Sequence, residues 1–219
     1  LASYTSISGP PLDHVAAWVR HRLRRPTPTA LRQLAGQAMR SSYVAAFHTP
    51  GVQWVASLRA ARDQSTRRTW ARALVTVEGI APSDEWPAPT FGRDVANGMH
   101  LYRANIGDRL RHPTERHTTV PVQLIVPTDD PYVPPTLVDG LETWAPTVWR
   151  RDVPARHWVV RSHPDAVSRW VAELVDHAEG GPEPGGLRRH RAGGRPSDQR
   201  QLVVVTGAGS GIGRATAVA

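Results

Sequence analysis

Two stretches of this chain carry residue types that can do chemistry, and in each the spacing matters. The first is Val120–Pro134, reading VPVQLIVPTDDPYVP. Val122, Leu124 and Val126 alternate with Gln123 and Ile125, all but Gln123 apolar, and prolines bound the run. This is the pattern of a buried strand of a parallel sheet. It ends in a turn that sets Asp129 and Asp130 at the carboxyl end of the strand, where open α/β sheets keep their ligands. A second strand-like run, Thr147–Asp152, is followed by His157-Trp158. An Asp after one strand and a His after the next is the order in which a carboxylate can hold an imidazole in one tautomer. The second stretch is Gln201–Ala219, where Leu202–Val205 runs into Thr206-Gly207-Ala208-Gly209-Ser210-Gly211-Ile212-Gly213. A glycine-rich turn between strand and helix lets backbone amides approach a pyrophosphate at the helix N-terminus.

The elements that must position these residues follow from periodicity. Ala2–Ser8 is β-prone and stops at Gly9-Pro10-Pro11. Leu12, Val15, Ala16, Val19 and Leu23 follow helical spacing, and Leu31, Leu34, Ala35 and Ala38 continue in a second helix after Pro26 and Pro28. Further helices are expected over about Val52–Ala61, Ser65–Val75 and Thr90–Leu110, with Thr90 as cap and a Pro-rich loop, Ala81–Pro89, before the last. Residues 12–110 therefore read as a helical block. The helix Pro164–His177 carries Val167, Trp170, Val171, Leu174 and Val175 on one face, with Ser162 as cap. Residues 178–200, rich in Gly, Pro and Arg, read as a disordered linker.

Composition bounds the function. With 219 residues there is room for one good core or two small ones. No cysteine means no disulfide framework, thiol nucleophile or Cys-ligated zinc. The ten histidines show no HExxH-like metal spacing. No apolar run is long enough to span a bilayer, and the N-terminus lacks the layout of a signal peptide, so a cytoplasmic protein is expected. A net charge of +8 would ordinarily point to nucleic acid. All 27 basic residues are Arg, however, and they are dispersed, being dense only at Arg20–Arg25 and Arg188–Arg200. That is the look of coding bias and solvated surface, and no nucleic-acid partner is expected. The eight Trp include Trp18, Trp54, Trp70 and Trp170 at helical positions, where core or pocket lining explains them.

The order strand, helical insertion, strand, Asp, strand, His resembles the second half of an α/β-hydrolase. Pro127–Pro134 (PTDDPYVP) is similar to that family's Gly-x-x-Asp-Pro-x-Val-Pro acid turn, with Pro127 in place of the usual Gly and Ala155-Arg156 where Gly commonly precedes the His. By this resemblance Asp130 is the acid and His157 the base; spacing alone leaves Asp129 as the fallback acid. The bland alternative is that Asp130 caps its turn and His157 is an ordinary loop histidine. Ser41–Gly51 (SSYVAAFHTPG) and His100–Ile106 (HLYRANI) resemble the cap segments that carry paired tyrosines in epoxide hydrolases of this fold, and Tyr43 and Tyr102 stand at those positions. The alternative is that both are buried helix residues. A protonated phenol donates a hydrogen bond to the oxygen of an opening strained ring.

The resemblance implies a mechanism. A nucleophilic Asp opens the epoxide while Tyr43 and Tyr102 hold its oxygen, and His157, oriented by Asp130, activates the water that cleaves the ester. The nucleophile's Gly-x-Asp-x-Gly elbow is not in the chain and is expected upstream of Leu1. The hydrolase part needs no cofactor, and its substrate is expected to be a small, lipophilic epoxide. TGxxxGIG after Val203–Val205, followed by Arg214-Ala215-Thr216-Ala217, resembles the start of a short-chain dehydrogenase/reductase. That implies NAD or NADP at Thr206, Gly207, Ser210, Gly211, Ile212 and Gly213. That family's catalytic Tyr-x-x-x-Lys is not here, since the chain has no Lys.

The expectation is thus an α/β chain in three parts: 1–177, a partial α/β-hydrolase with a helical cap over about 12–110; 178–200, a linker; 201–219, the start of a Rossmann fold. It resembles mycobacterial fusions of an epoxide-hydrolase-like domain with a dehydrogenase, cut at both ends and expected to be inactive, and not to fold cooperatively, as an isolated fragment. Two other readings stand beside it: a parent protein whose main activity is NAD(P)-dependent oxidation, and a degenerate, non-catalytic hydrolase domain.

Overall fold

Apolar alternation in a strand buries both faces only if each face finds a cover, and the strand Val122–Pro127 finds two. In the computed structural model, residues 2–62, 64–80, 88, 90–189 and 191–193 are described. They fall into two compact units, one drawn from Leu1–His14 and Glu115–Ala219, the other Val15–Thr114.

The first unit holds β1 (Tyr4–Ile7), β2 (Val122–Pro127), β3 (Val148–Val153) and β4 (Arg191–Gly193) in the order β1-β2-β3-β4. β1, β2 and β3 are parallel, and β4 joins antiparallel on β3. Every residue of β2 is buried. Val122, Leu124 and Val126 pack on Val138, Leu141 and Ala145 from two short 3-10 turns, Pro135–Val138 and Leu141–Thr143, and the residues after them. Ile125, on the other face, meets Val159 and Val167, with Trp170 and Val171 alongside. The last three belong to the amphipathic helix expected over Pro164–His177, observed as Pro164–Ala178.

Gln123 breaks the apolar run yet is fully buried. Its amide nitrogen donates to the Trp170 carbonyl (3.0 Å) and to Thr5 Oγ1 (3.3 Å), and its oxygen accepts from Arg151 Nε (2.8 Å). A buried amide so satisfied carries little of the cost of an orphaned one. Arg151 also pairs with Glu173. Burial pushes its guanidinium below the ordinary value, and Glu173 draws it back up.

The second unit is helical: α1 (Leu12–Arg24, which starts in the first unit), α2 (Pro28–Arg40), α3 (Ser42–His48), α4 (Val52–Arg62), α5 (Gln64–Glu78) and α6 (Phe91–Arg111). Five of the six match the expected helices, and α3 does not appear in the periodicity. It stops at His48 because Pro50 holds Thr49 extended, and Gly51, at φ 81°, turns the chain into α4. No helix among the described residues is long and apolar enough to cross a membrane.

Three expectations need correction. The described middle of the expected linker is ordered: a short helix, Gly185–Arg189, precedes β4, and Leu187 is fully buried against Trp149 and Leu174. Trp149 Nε1 donates to Glu183 in the same segment (3.0 Å). A Gly/Pro-rich composition hid one leucine that packs between β3 and the helix Pro164–Ala178. Ser162 does not cap the helix at Pro164; His163 holds that position without a side-chain bond, because Ser162 closes its own short helix, Val159–Ser162. Thr90 stands at the cap of α6, but its hydroxyl donates to Asp94 Oδ2 (2.8 Å) in place of capping the backbone. The glycine-rich run Thr206–Gly213, and all of the Pro-rich loop but Ala88, lie outside the described residues.

Candidate active site

The turn after β2 is built by backbone bonds to the end of β3. Thr128 N donates to the Val153 carbonyl (2.8 Å) and Asp129 N to that of Ala155 (3.1 Å). This places Asp129 out in solvent and turns Asp130 inward, 3% exposed. Asp130 then uses its two oxygens differently. Oδ1 accepts from the backbone N–H groups of Tyr132 (2.7 Å) and Val133 (2.9 Å), fixing the carboxylate's plane. Oδ2 lies 2.7 Å from Nδ1 of His157. An ionised carboxylate only accepts, so Nδ1 carries the proton and donates it, which leaves Nε2 with its lone pair. The His157 side chain is 32% exposed while that of Asp130 is fully buried. An imidazole with its Nδ1 side anchored and its ring open to solvent is the geometry of a general base.

Asp130 thus caps its turn with one oxygen and lies beside His157 with the other. Asp129, the fallback acid, faces away. Pattern reading passed over two residues that touch the histidine. The Tyr132 ring packs edge-on against the imidazole, 5.1 Å between centroids at 79°. The Ser8 hydroxyl donates to the His157 carbonyl (2.6 Å). The aromatic two positions after Asp130 was a visible signal for the first. The second had none beyond a polar residue at a strand end.

In the helical unit, α3 presents Tyr43 and Phe47 one turn apart, and α6 presents Tyr102. The three rings meet edge to face: Tyr43–Phe47 at 5.3 Å, Phe47–Tyr102 at 5.3 Å and Tyr43–Tyr102 at 6.0 Å. So two tyrosines 59 positions apart in sequence do come together, each half-buried. Among the described residues no group of His, Asp and Glu is arranged to hold a metal ion.

The chain matches no family model. Across its whole length it is 38% identical, over 226 aligned residues, to the probable oxidoreductase EphD of Mycobacterium tuberculosis and to that of Mycobacterium bovis. It spans only 37% of the length of those curated relatives. In structure it is similar to an epoxide hydrolase of Bacillus megaterium solved with an inhibitor, with a TM-score of 0.51 at 18% identity. The match covers 80% of this chain and 61% of that one. The shared feature is the fold: a mixed α/β chain whose small, mainly parallel sheet is accompanied by many helices.

Proposed function

We propose that this chain supplies the acid–base and electrophilic parts of a hydrolase that opens a small, lipophilic epoxide to a diol. The observation that carries the reading is Asp130 locked by two backbone amides and paired at 2.7 Å with His157, at the carboxyl ends of adjacent parallel strands. The likeness of fold to an epoxide hydrolase supports it, as does the meeting of Tyr43 with Tyr102.

In this mechanism a carboxylate from outside these 219 residues attacks one ring carbon, and the C–O bond breaks. The oxygen that gains the charge accepts hydrogen bonds from the Tyr43 and Tyr102 phenols, one of which gives up its proton. The product of this step is an ester between enzyme and substrate. His157 Nε2 then takes a proton from water as the hydroxide attacks the ester carbonyl, and Asp130 stabilises the imidazolium that forms. Collapse of the tetrahedral intermediate frees the diol and restores the carboxylate, and the proton held by the His157 imidazolium returns through solvent to the phenolate, so that both groups are reset.

The test separates the two steps. Full-length wild-type protein incubated with a terminal aryl epoxide is expected to release diol. The His157→Gln variant is expected to stop at the ester, so that its intact mass rises by the mass of one epoxide. No diol from the wild type, or a His157→Gln variant that turns over normally, overturns the reading.

A second reading, an NAD(P)-dependent oxidoreductase, is favoured by the run Thr206–Gly213 and by the name of the mycobacterial relatives. It predicts that the full-length protein quenches or enhances NADH or NADPH fluorescence on binding, and that Gly207→Ala with Gly213→Ala removes the signal.

A further inference from the structure

Ser8 follows β1 directly, at φ 57°, and it is the one non-glycine residue with positive φ among the described residues. A Cβ in that conformation crowds the following peptide, which a glycine would avoid, yet the next residue, Gly9, is not the one that makes the turn. Such strain persists only where the surroundings over-determine it, and it clusters at functional sites. Two bonds hold Ser8. Its N–H donates to the Ile125 carbonyl (3.1 Å), continuing the ladder of β1 on β2. Its hydroxyl donates to the main-chain carbonyl of His157 (2.6 Å), a residue 149 positions away.

His157 follows β3, and Thr128 and Asp129 already tie the start of its loop, at Val153 and Ala155, to the end of β2. Nothing in those two bonds constrains the peptide of His157 itself. Ser8 does, from the opposite side of β2. We propose that Ser8 is a positioning residue for His157: its left-handed turn carries the hydroxyl to the histidine's carbonyl and sets the backbone from which the imidazole reaches Asp130. The hydroxyl is committed to a carbonyl, so Ser8 is not a nucleophile in this arrangement. The geometric part of the inference stands on the hydrogen bonds alone, and its catalytic consequence rests on the hydrolase reading above.

The experiment uses the full-length protein labelled with 15N-histidine, in which the Nδ1–H resonance of His157 is assigned by its loss in His157→Gln. Ser8→Ala removes the hydroxyl and keeps the strain. Ser8→Gly removes the hydroxyl and relieves it, and it carries the test if Ser8→Ala does not fold, because glycine adopts this φ freely. Both variants are expected to move the resonance upfield and to speed its exchange with water about fivefold, the weight of one ordinary hydrogen bond. With an epoxide, both are expected to lower kcat by about tenfold to a hundredfold at little change in KM. A resonance unchanged in folded Ser8→Ala or Ser8→Gly protein overturns the proposal, whatever happens to turnover. A resonance that responds in a protein whose wild type releases no diol upholds the positioning role and sinks the hydrolase reading.

Discussion

Asp130 and His157 are held by directional bonds gathered from three strand ends, whereas Tyr43 and Tyr102 meet through ring edges presented by two helices. In the sheet unit the carboxylate receives two backbone amides, the histidine carbonyl receives Ser8, and β2 between them is buried on both faces. In the helical unit α3 contributes no buried residue, and Leu31, Met39, Trp54, Trp70 and Leu101 are all largely exposed. Hydrogen bonds to backbone fix angle as well as distance, while edge-to-face rings tolerate broad ranges of both. The Asp130–His157 pair is thus held where tolerance is small, and the two phenols where rings can shift.

The sharpest way to break this comparison is at the carboxylate. Asp130→Asn in the full-length protein keeps the volume but presents an amide to His157, and diol release should fall by about 10⁴. Asp129→Asn, one residue away and solvent-exposed, should leave the rate within about twofold. Equal effects of the two would mean that burial of Asp130 has no catalytic meaning.

The rigidity of the sheet unit is tested next. Glu173→Leu leaves the Arg151 charge, only 6% exposed, with Gln123 beside it. Chemical denaturation should show a loss of about 3 kcal/mol, and Arg151→Met added to it should restore most of that. Leu187→Ala, in the segment that composition marks as linker, should cost about 2–5 kcal/mol; a loss near zero would return residues 185–193 to the linker.

In the helical unit the phenols should matter more to rate than to stability. Tyr43→Phe and Tyr102→Phe keep the ring contacts and remove one donor each. Epoxide opening should slow by about 10² for each, with the thermal midpoint unchanged. A fall in Tm without a fall in rate would make the pair a packing feature. The smallest effect belongs to the α2 cap, where the Thr27 hydroxyl accepts from Ala30 N (3.1 Å). Thr27→Ala should cost about 1 kcal/mol and leave the His157 resonance untouched.

Much of the sheet and the helical block is legible from periodicity, because a strand or helix writes its own repeat into neighbouring residues. β2 alternates as Val122, Leu124 and Val126 against Ile125, the helix at Pro164 carries its stripe, and the chain order of acid and base survives in any register. What lay beyond the pattern depends on partners far along the chain. The burial of Asp130 beside an exposed Asp129 goes with turn amides that bond carbonyls at the end of β3. The burial of Gln123 makes sense only beside Arg151 and Trp170. The ordering of residues 185–189 and 191–193 goes with Trp149 and Leu174 receiving Leu187. The hold of Ser8 on His157 joins two strand ends that lie 149 positions apart in sequence. Such contacts leave no local repeat: a hydrogen bond between distant residues is a property of strand pairing and register, and those exist only once the sheet has formed.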